Sequence, residues 1–147
     1  MKNSYEAYQV KLSYVNETEI SDRSVIRNAD DAAKLLFEAW DKSTIEHIET
    51  VKVILLNNGH QLLGIADISK GGLTGSVIDV RLIAQYAITA NASSVLLAHN
   101  HPSGNLKPSY ADIEITKKVK DAMKLLDITL LDHLIIIKDG QYISTNL

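Results

Sequence analysis

The chain has 147 residues, 46% of them hydrophobic and 22% charged, with a formal net charge of −3. That length suits one domain with a sizeable core and the composition excludes whole-chain disorder, while the acidic balance disfavours a non-specific nucleic-acid binder, which needs a cationic face. Cysteine is absent, which excludes disulfides, thiolate zinc fingers, iron–sulfur clusters and cysteine nucleophiles, and leaves five histidines as the nitrogen metal ligands.

In chain order, Tyr8, Val10, Leu12 and Tyr14 alternate with polar residues and predict a half-buried strand, followed by a polar loop over 16–27. Residues 1–27 are thus expected to form an N-terminal strand and loop ahead of the main domain at 28–147. Ala32, Leu35, Leu36, Ala39 and Trp40 fall at helical spacing, with Asn28 or Asp30 as the cap. Val51 to Leu56 reads as a strand, and Asn57-Asn58-Gly59 as a turn with positive φ leading into a second strand over Gln61 to Ile68. The glycine-rich stretch from Ser69 to Ser76 predicts a loop bordering a cleft. A helix capped by Asp79 runs to Asn91, and a short strand covers Val95 to Ala98. His99 to Pro108 is turn-rich, a helix spans Ser109 to Asp127, and Ile128 to Ile137 is a buried strand that Asp139-Gly140 turns into a last strand, Gln141 to Ser144. Interleaved strands and helices with hairpins predict an α/β (α+β) fold: a mixed sheet with helices packed on it.

The apolar runs are far shorter than a membrane span, and Met1 to Val10 has no signal-peptide core, so no membrane association and a cytoplasmic location are expected. Lys117, Lys118, Lys120 and Lys124 are balanced on their helix by Asp112, Glu114, Asp121 and Asp127, a solvated face and not a nucleic-acid patch.

The chemistry concentrates at His99-Asn100-His101-Pro102-Ser103-Gly104, followed by Pro108-Ser109 and Asp112. Two histidines at spacing two leave one face of an extended chain together, and a carboxylate in the first turn of the next helix can face back toward them. Such an N,N,O set suits zinc and keeps a fourth position for water. Ser109-x-x-Asp112 has a second reading as a capping box. Ser109 is assigned equally to capping and to support of an oxyanion; Asp112 is assigned to the metal. A base for water would come from Glu46 or Glu49, ahead of the strand at 51–56, and periodicity does not choose between them. Asp132-His133 reads first as a polar pair ending a strand, with support of the metal site as the alternative. Arg81 faces either an acid or a substrate carboxylate. The literal string His-Asn-His does not indicate an HNH nuclease, because Asn100 is a spacer whose side chain points away from the ion.

His-Asn-His-Pro-Ser-Gly, then Pro-Ser-x-x-Asp and Leu-Leu-Asp-His-Leu-Ile-Ile, resemble the RadC family of JAB/MPN (JAMM-motif) domains. The motif Glu…His-x-His-x(7)-Ser-x(2)-Asp is met by His99, His101, Ser109 and Asp112, and the stretch from Glu49 to Asn57 is similar to the family's segment in which Glu precedes a strand. That register favours Glu49 over Glu46. The resemblance covers residues 28–147. It implies a curved mixed sheet between helices with cytidine-deaminase-like layering. It also implies one Zn²⁺ per chain held by His99, His101 and Asp112, with Glu49 as general base and Ser109 supporting the oxyanion.

The activity so implied is a zinc-dependent metallohydrolase in which zinc-activated water attacks a peptide or isopeptide carbonyl, with a peptide or protein as partner. Longer relatives carry a helix-hairpin-helix segment that touches DNA, and this chain is expected to lack it, which weakens a direct DNA reading. The alternatives are a module acting in DNA repair or recombination through partner proteins, and a non-catalytic interaction domain.

Overall fold

The computed structural model describes residues 8–71 and 77–145. Its strands form one mixed sheet in the order β2-β1-β3-β4-β5: β1 Thr50–Leu56, β2 Leu62–Lys70, β3 Ser94–Asn100, β4 Thr129–Ile136 and β5 Tyr142–Ser144. All neighbours are antiparallel except β3 and β4, which run parallel and are joined through a helix. The helices are α1 (Ala29–Ala39), α2 (Val80–Thr89) and α3 (Tyr110–Leu125). Each has a side-chain cap. Asn28 accepts from the Asp31 N–H at 2.8 Å, Asp79 from Leu82 at 3.2 Å and Ser109 from Asp112 at 3.0 Å, satisfying donors that the first turn leaves open.

The sheet is covered on both faces, which is why β1 and β3 read as continuous apolar runs and not as alternating ones. Val51, Val53, Leu55, Val95 and Leu97 meet Ile83 and Ala87 of α2 and Val119 and Met123 of α3. Ile54, Leu56, Leu96, Ala98, Leu134 and Ile136 meet Ala32, Leu36 and Trp40 on the opposite face. Along β3, His99 continues the first series and Asn100 the second, so neighbouring residues deliver their side chains to opposite layers.

Four expectations change. Tyr8 to Tyr14 is not a strand: Tyr8, Val10 and Leu12 are exposed, and the Tyr14 hydroxyl reaches the sheet by donating to the Leu63 carbonyl. Alternation states which face a strand would bury, and no partner strand takes it up here. The polar loop, in contrast, does join the sheet edge: Leu62 N–H donates to Ser24 O at 2.8 Å and Ile26 N–H to His60 O at 2.9 Å. The β1–β2 hairpin exists with another turn. The left-handed residue is His60, φ 58°, and the Asn57 side chain accepts from the Gly59 and Gln61 amides at 3.0 and 2.9 Å, replacing the two-residue Asn-Gly turn. Ser69 and Lys70 extend β2, Gly71 follows it, and the rest of the expected loop, residues 72–76, lies outside the described residues. Among the described residues, no helix is long and apolar enough to cross a membrane.

Candidate metal centre

The site forms where β3 ends and α3 begins. β3 runs two residues past the expected strand, so His99 sits within the ladder, paired with Val51 on one side and Ile135 on the other. The chain then turns through Pro102 to Pro108, and Ser109 starts α3 with a complete capping box: Ser109 N–H donates to Asp112 Oδ2 at 2.8 Å, and Asp112 N–H donates to Ser109 Oγ at 3.0 Å. The cap leaves the metal reading of Asp112 open, because a carboxylate has two oxygens. Oδ1 faces His99 Nε2 at 3.3 Å, while Oδ2, which closes the cap, lies 3.2 Å from His101 Nε2.

The two imidazole Nε2 atoms are 2.9 Å apart. Glu49, immediately before β1, brings Oε1 to 4.0 Å from His99 Nε2. Glu49, His99 and His101 each offer a donor atom within 4.8 Å of the others. Two carboxylates thus flank one histidine pair. A tetrahedral ion with bonds of about 2.0–2.1 Å spaces its ligand atoms by about 3.3–3.4 Å. Asp112 matches that spacing to both histidines, and Glu49 stands further off. Glu46 is not part of the cluster: it is exposed and pairs with Lys138 at 3.2 Å.

Hydrogen bonds decide where the ring protons lie. His101 Nδ1 faces the Asn105 carbonyl at 2.5 Å; a carbonyl only accepts, so Nδ1 carries the proton and Nε2 a lone pair when the ring is neutral. Thr116 Oγ1 donates to the Asp112 carbonyl at 2.6 Å and lies 2.6 Å from His133 Nδ1. Having given its one proton to the carbonyl, Thr116 accepts from His133. His133 Nε2 is then a lone pair, and it accepts from His99 Nδ1 at 2.7 Å. His99 Nε2 is left as a lone pair facing that of His101. Two lone pairs at 2.9 Å beside carboxylate oxygens repel one another unless a cation lies among them. The donor set therefore fits a bound metal.

Positive charge is favoured at the same place, a proton on His101 Nε2 when no ion is bound. A hydrogen bond with Asp112 raises the pKa of His101, against the opposing effect of burial. Burial alone would raise the Asp112 pKa, but the hydrogen bonds with His101 and His99 prevail and hold it well below the usual carboxylate range. Burial pushes His133 down to about 3, so that ring is neutral. His99 is 2% exposed, whereas the side chains of Glu49, His101 and Asp112 keep 15–18%, so the cluster is sealed beneath and open above. The opening is a cleft of about 240 Å³ with apolar walls from Val51, Val77, Ile78 and Ile115. A larger hollow of about 480 Å³ between α2 and β2 has no carboxylate or histidine in its lining and takes no part in this chemistry.

Asn100 faces away from the histidines, as expected of the spacer, but it does more than space. Fully buried, it accepts from Thr50 N–H at 2.7 Å and donates to Ile45 O at 2.7 Å and Ile48 O at 2.9 Å, tying down the turn that carries Glu49. The reading of Asp132-His133 as a strand-ending pair is corrected. His133 lies inside β4, fully buried against His99, while Asp132 accepts from Ser144 Oγ and holds β5. Thr116 escaped sequence reasoning. Its signal was a threonine three and seven residues before Val119 and Met123, on the buried stripe of α3. Arg81, His47 and His60 are exposed.

A family profile described as "RadC-like JAB domain" matches residues 14–146. Among curated proteins, the chain is 47% identical over 90 residues to a UPF0758 protein of Flavobacterium johnsoniae, covering 61% of this chain and 39% of that protein. It is 45% identical over 96 residues to one of Porphyromonas gingivalis, covering 65% and 42%. It is 42% identical over 121 residues to one of Clostridium tetani, covering 81% and 50%. The chain thus spans half or less of these relatives. The mixed sheet between helices, the histidine pair at the end of β3 and the profile match over nearly the whole chain agree: the chain belongs to the RadC-like JAB domain family.

Proposed function

We propose that the chain is a zinc-dependent metallohydrolase of the JAMM type that cleaves a peptide or isopeptide bond. The observation that carries this reading is the pair of Nε2 atoms 2.9 Å apart, with Asp112 at 3.2–3.3 Å and Glu49 at 4.0 Å from His99. His99, His101 and Asp112 would hold the ion. Bound zinc would supply Lewis-acid polarisation of a substrate carbonyl and lower the pKa of nearby water.

The chain's own residues do the rest. Glu49 stands beyond ligand spacing on the cleft side, where its carboxylate takes a proton from the attacking water. As the C–O bond forms and the C–N bond breaks, Glu49 gives that proton to the leaving nitrogen, so the group ends as it began. Ser109 Oγ accepts from Asp112 N–H, which leaves its own proton for the developing oxyanion. The apolar cleft walls exclude water around the reacting carbonyl and favour an apolar substrate segment.

The test is elemental analysis of protein purified without chelator or metal-affinity tag, beside His99→Ala and Asp112→Ala, followed by incubation with a pool of peptides. About one zinc per chain, lost in both variants, with new peptide termini formed only by wild type, is the expected result. Absence of zinc after dialysis against the metal would overturn the reading and leave an interaction domain.

A further inference from the structure

A hydrogen-bonded path runs beneath the candidate metal centre, from the Asp112 carbonyl through Thr116 and His133 to His99. His99 has two competing uses for its one ring proton. Placed on Nε2, the proton would be drawn to Asp112 Oδ1, 3.3 Å away, and no lone pair would remain for an ion. Placed on Nδ1, it is given to His133. The second arrangement is imposed from the helix. The Asp112 carbonyl accepts the Thr116 proton, Thr116 accepts from His133 Nδ1, and His133 Nε2 accepts from His99 Nδ1, at 2.6, 2.6 and 2.7 Å. The direction is set at its far end by a carbonyl that has no proton to give.

We propose that Thr116 and His133 are positioning residues that keep the His99 proton on Nδ1, so that Nε2 always meets the metal as a lone pair. Neither residue lines the cleft, and they are 2% and 0% exposed, so they act only through His99. α3 delivers both ends of the device: Asp112 supplies the carboxylate beside the histidines, and one turn later Thr116 bonds back to the carbonyl of that same residue. Partners of this kind typically change metal affinity by about 10–100-fold when removed.

The inference that the lone pair serves a metal rests on the hydrolase reading; the placement of the proton does not. The experiment separates them. Metal-free protein with ¹⁵N-labelled histidine is examined by long-range ¹H–¹⁵N correlation, and zinc affinity is measured by competition with a chromophoric chelator, for wild type, Thr116→Val and Thr116→Ser. Wild type should show His99 and His133 both protonated on Nδ1. Thr116→Val keeps the shape but leaves the His133 N–H facing a methyl. An unpaired buried donor is tolerated less well than an unpaired acceptor, so His133 turns its proton to Nε2 and drives that of His99 onto Nε2. Zinc affinity then falls about 10–100-fold. Thr116→Ser keeps the hydroxyl and should retain both the wild-type tautomer and affinity within about threefold, a rescue that a packing role would not produce. An Nε2 proton on His99 in metal-free wild type overturns the proposal, as does Thr116→Val with unchanged tautomer and affinity. Correct tautomers in a protein that takes up no zinc would uphold the relay and overturn the metal reading instead.

Discussion

Asn100 offers a test of how Glu49, the proposed general base, is held. It sits between the two histidines in sequence yet serves the opposite layer, where its amide makes three hydrogen bonds to the turn before β1. Asn100→Ala leaves the Thr50 N–H and the Ile45 carbonyl without partners in a region that is 3–5% exposed. The Ile48 carbonyl, at a half-buried residue, is within reach of water. Each buried group left unpaired costs about 1–3 kcal/mol, so a total loss near 3 kcal/mol is expected, equivalent to roughly 6–12 °C in the thermal midpoint for a domain of this size. Asn100→Asp is the sharper comparison. It has the same shape and keeps an acceptor for Thr50, but turns lone pairs and a charge toward two carbonyls, so it should be at least as destabilising as alanine. Urea unfolding reads both variants. Zinc binding at 25 °C should survive, since both imidazoles face the other layer, while turnover falls because the segment carrying Glu49 is loosened. If Asn100→Asp unfolds at the wild-type urea concentration, the clamp is not what holds this turn and the argument fails.

Other predictions separate the roles of the cluster. Glu49→Gln should keep zinc and lose at least about 100-fold in turnover, the usual scale for a lost general base; loss of zinc in that variant would instead make Glu49 a ligand. Ser109→Ala should cost about 1 kcal/mol through the lost cap and about 10²–10³ in turnover if the hydroxyl meets the oxyanion. Ser109→Asp restores the cap and not the rate, and full activity in either would confine Ser109 to capping. In metal-free protein, His133 makes stability fall as pH drops from about 6.5 toward 3, because the unfolded chain takes up a proton that the buried ring refuses, with a slope of at most about 1.4 kcal/mol per pH unit. His101 acts in the other window: its raised pKa adds stability that is complete below about 6.5 and lost as pH rises through the raised value. Asp112 contributes above about 3.8 and ceases to as pH falls further. Urea titrations from about pH 2 to 9 check the signs, and an unaltered acid slope in His133→Gln would refute the assignment to His133.

What could be read from the sequence were the local devices. The two-residue spacing of the histidines, the Ser-x-x-Asp at a helix start and the apolar runs of a two-faced sheet each state their geometry within a few residues. Glu49 and Glu46 were equivalent by periodicity and only register told them apart; the structure sets one beside His99 and the other against Lys138. The N-terminal alternation misled because a period of two requires a neighbouring strand that the pattern cannot supply. The Asn58-Gly59 signal misled because the Asn57 side chain, bonding two amides, builds a longer loop. Thr116 was passed over, and the clamp made by Asn100 went unread, for a related reason: their partners lie 17 and about 50 residues away, and polar residues in buried positions declare a partner without saying which.

His133 shows how such a partner is chosen. β4 pairs with β3 through a register shift between Val95 and Leu96: Val95 faces Leu130, yet Leu96 faces Asp132. The extra residue, Leu131, inverts the alternation of β4 from that point. Leu130 packs with α2 and α3, whereas Leu134 and Ile136, of the same parity, pack with α1. Without the bulge, Asp132 would fall on the layer of His99 and His133 on the other. A carboxylate there accepts and cannot donate, so it would also pull a proton to Nδ1, but it would bring a third negative charge beneath a site that already holds Asp112 and Glu49. The neutral imidazole orients the ring without that charge. A single inserted residue in an otherwise regular strand thus selects which of two adjacent polar side chains meets His99, and sends the other to bind Ser144 and fasten β5.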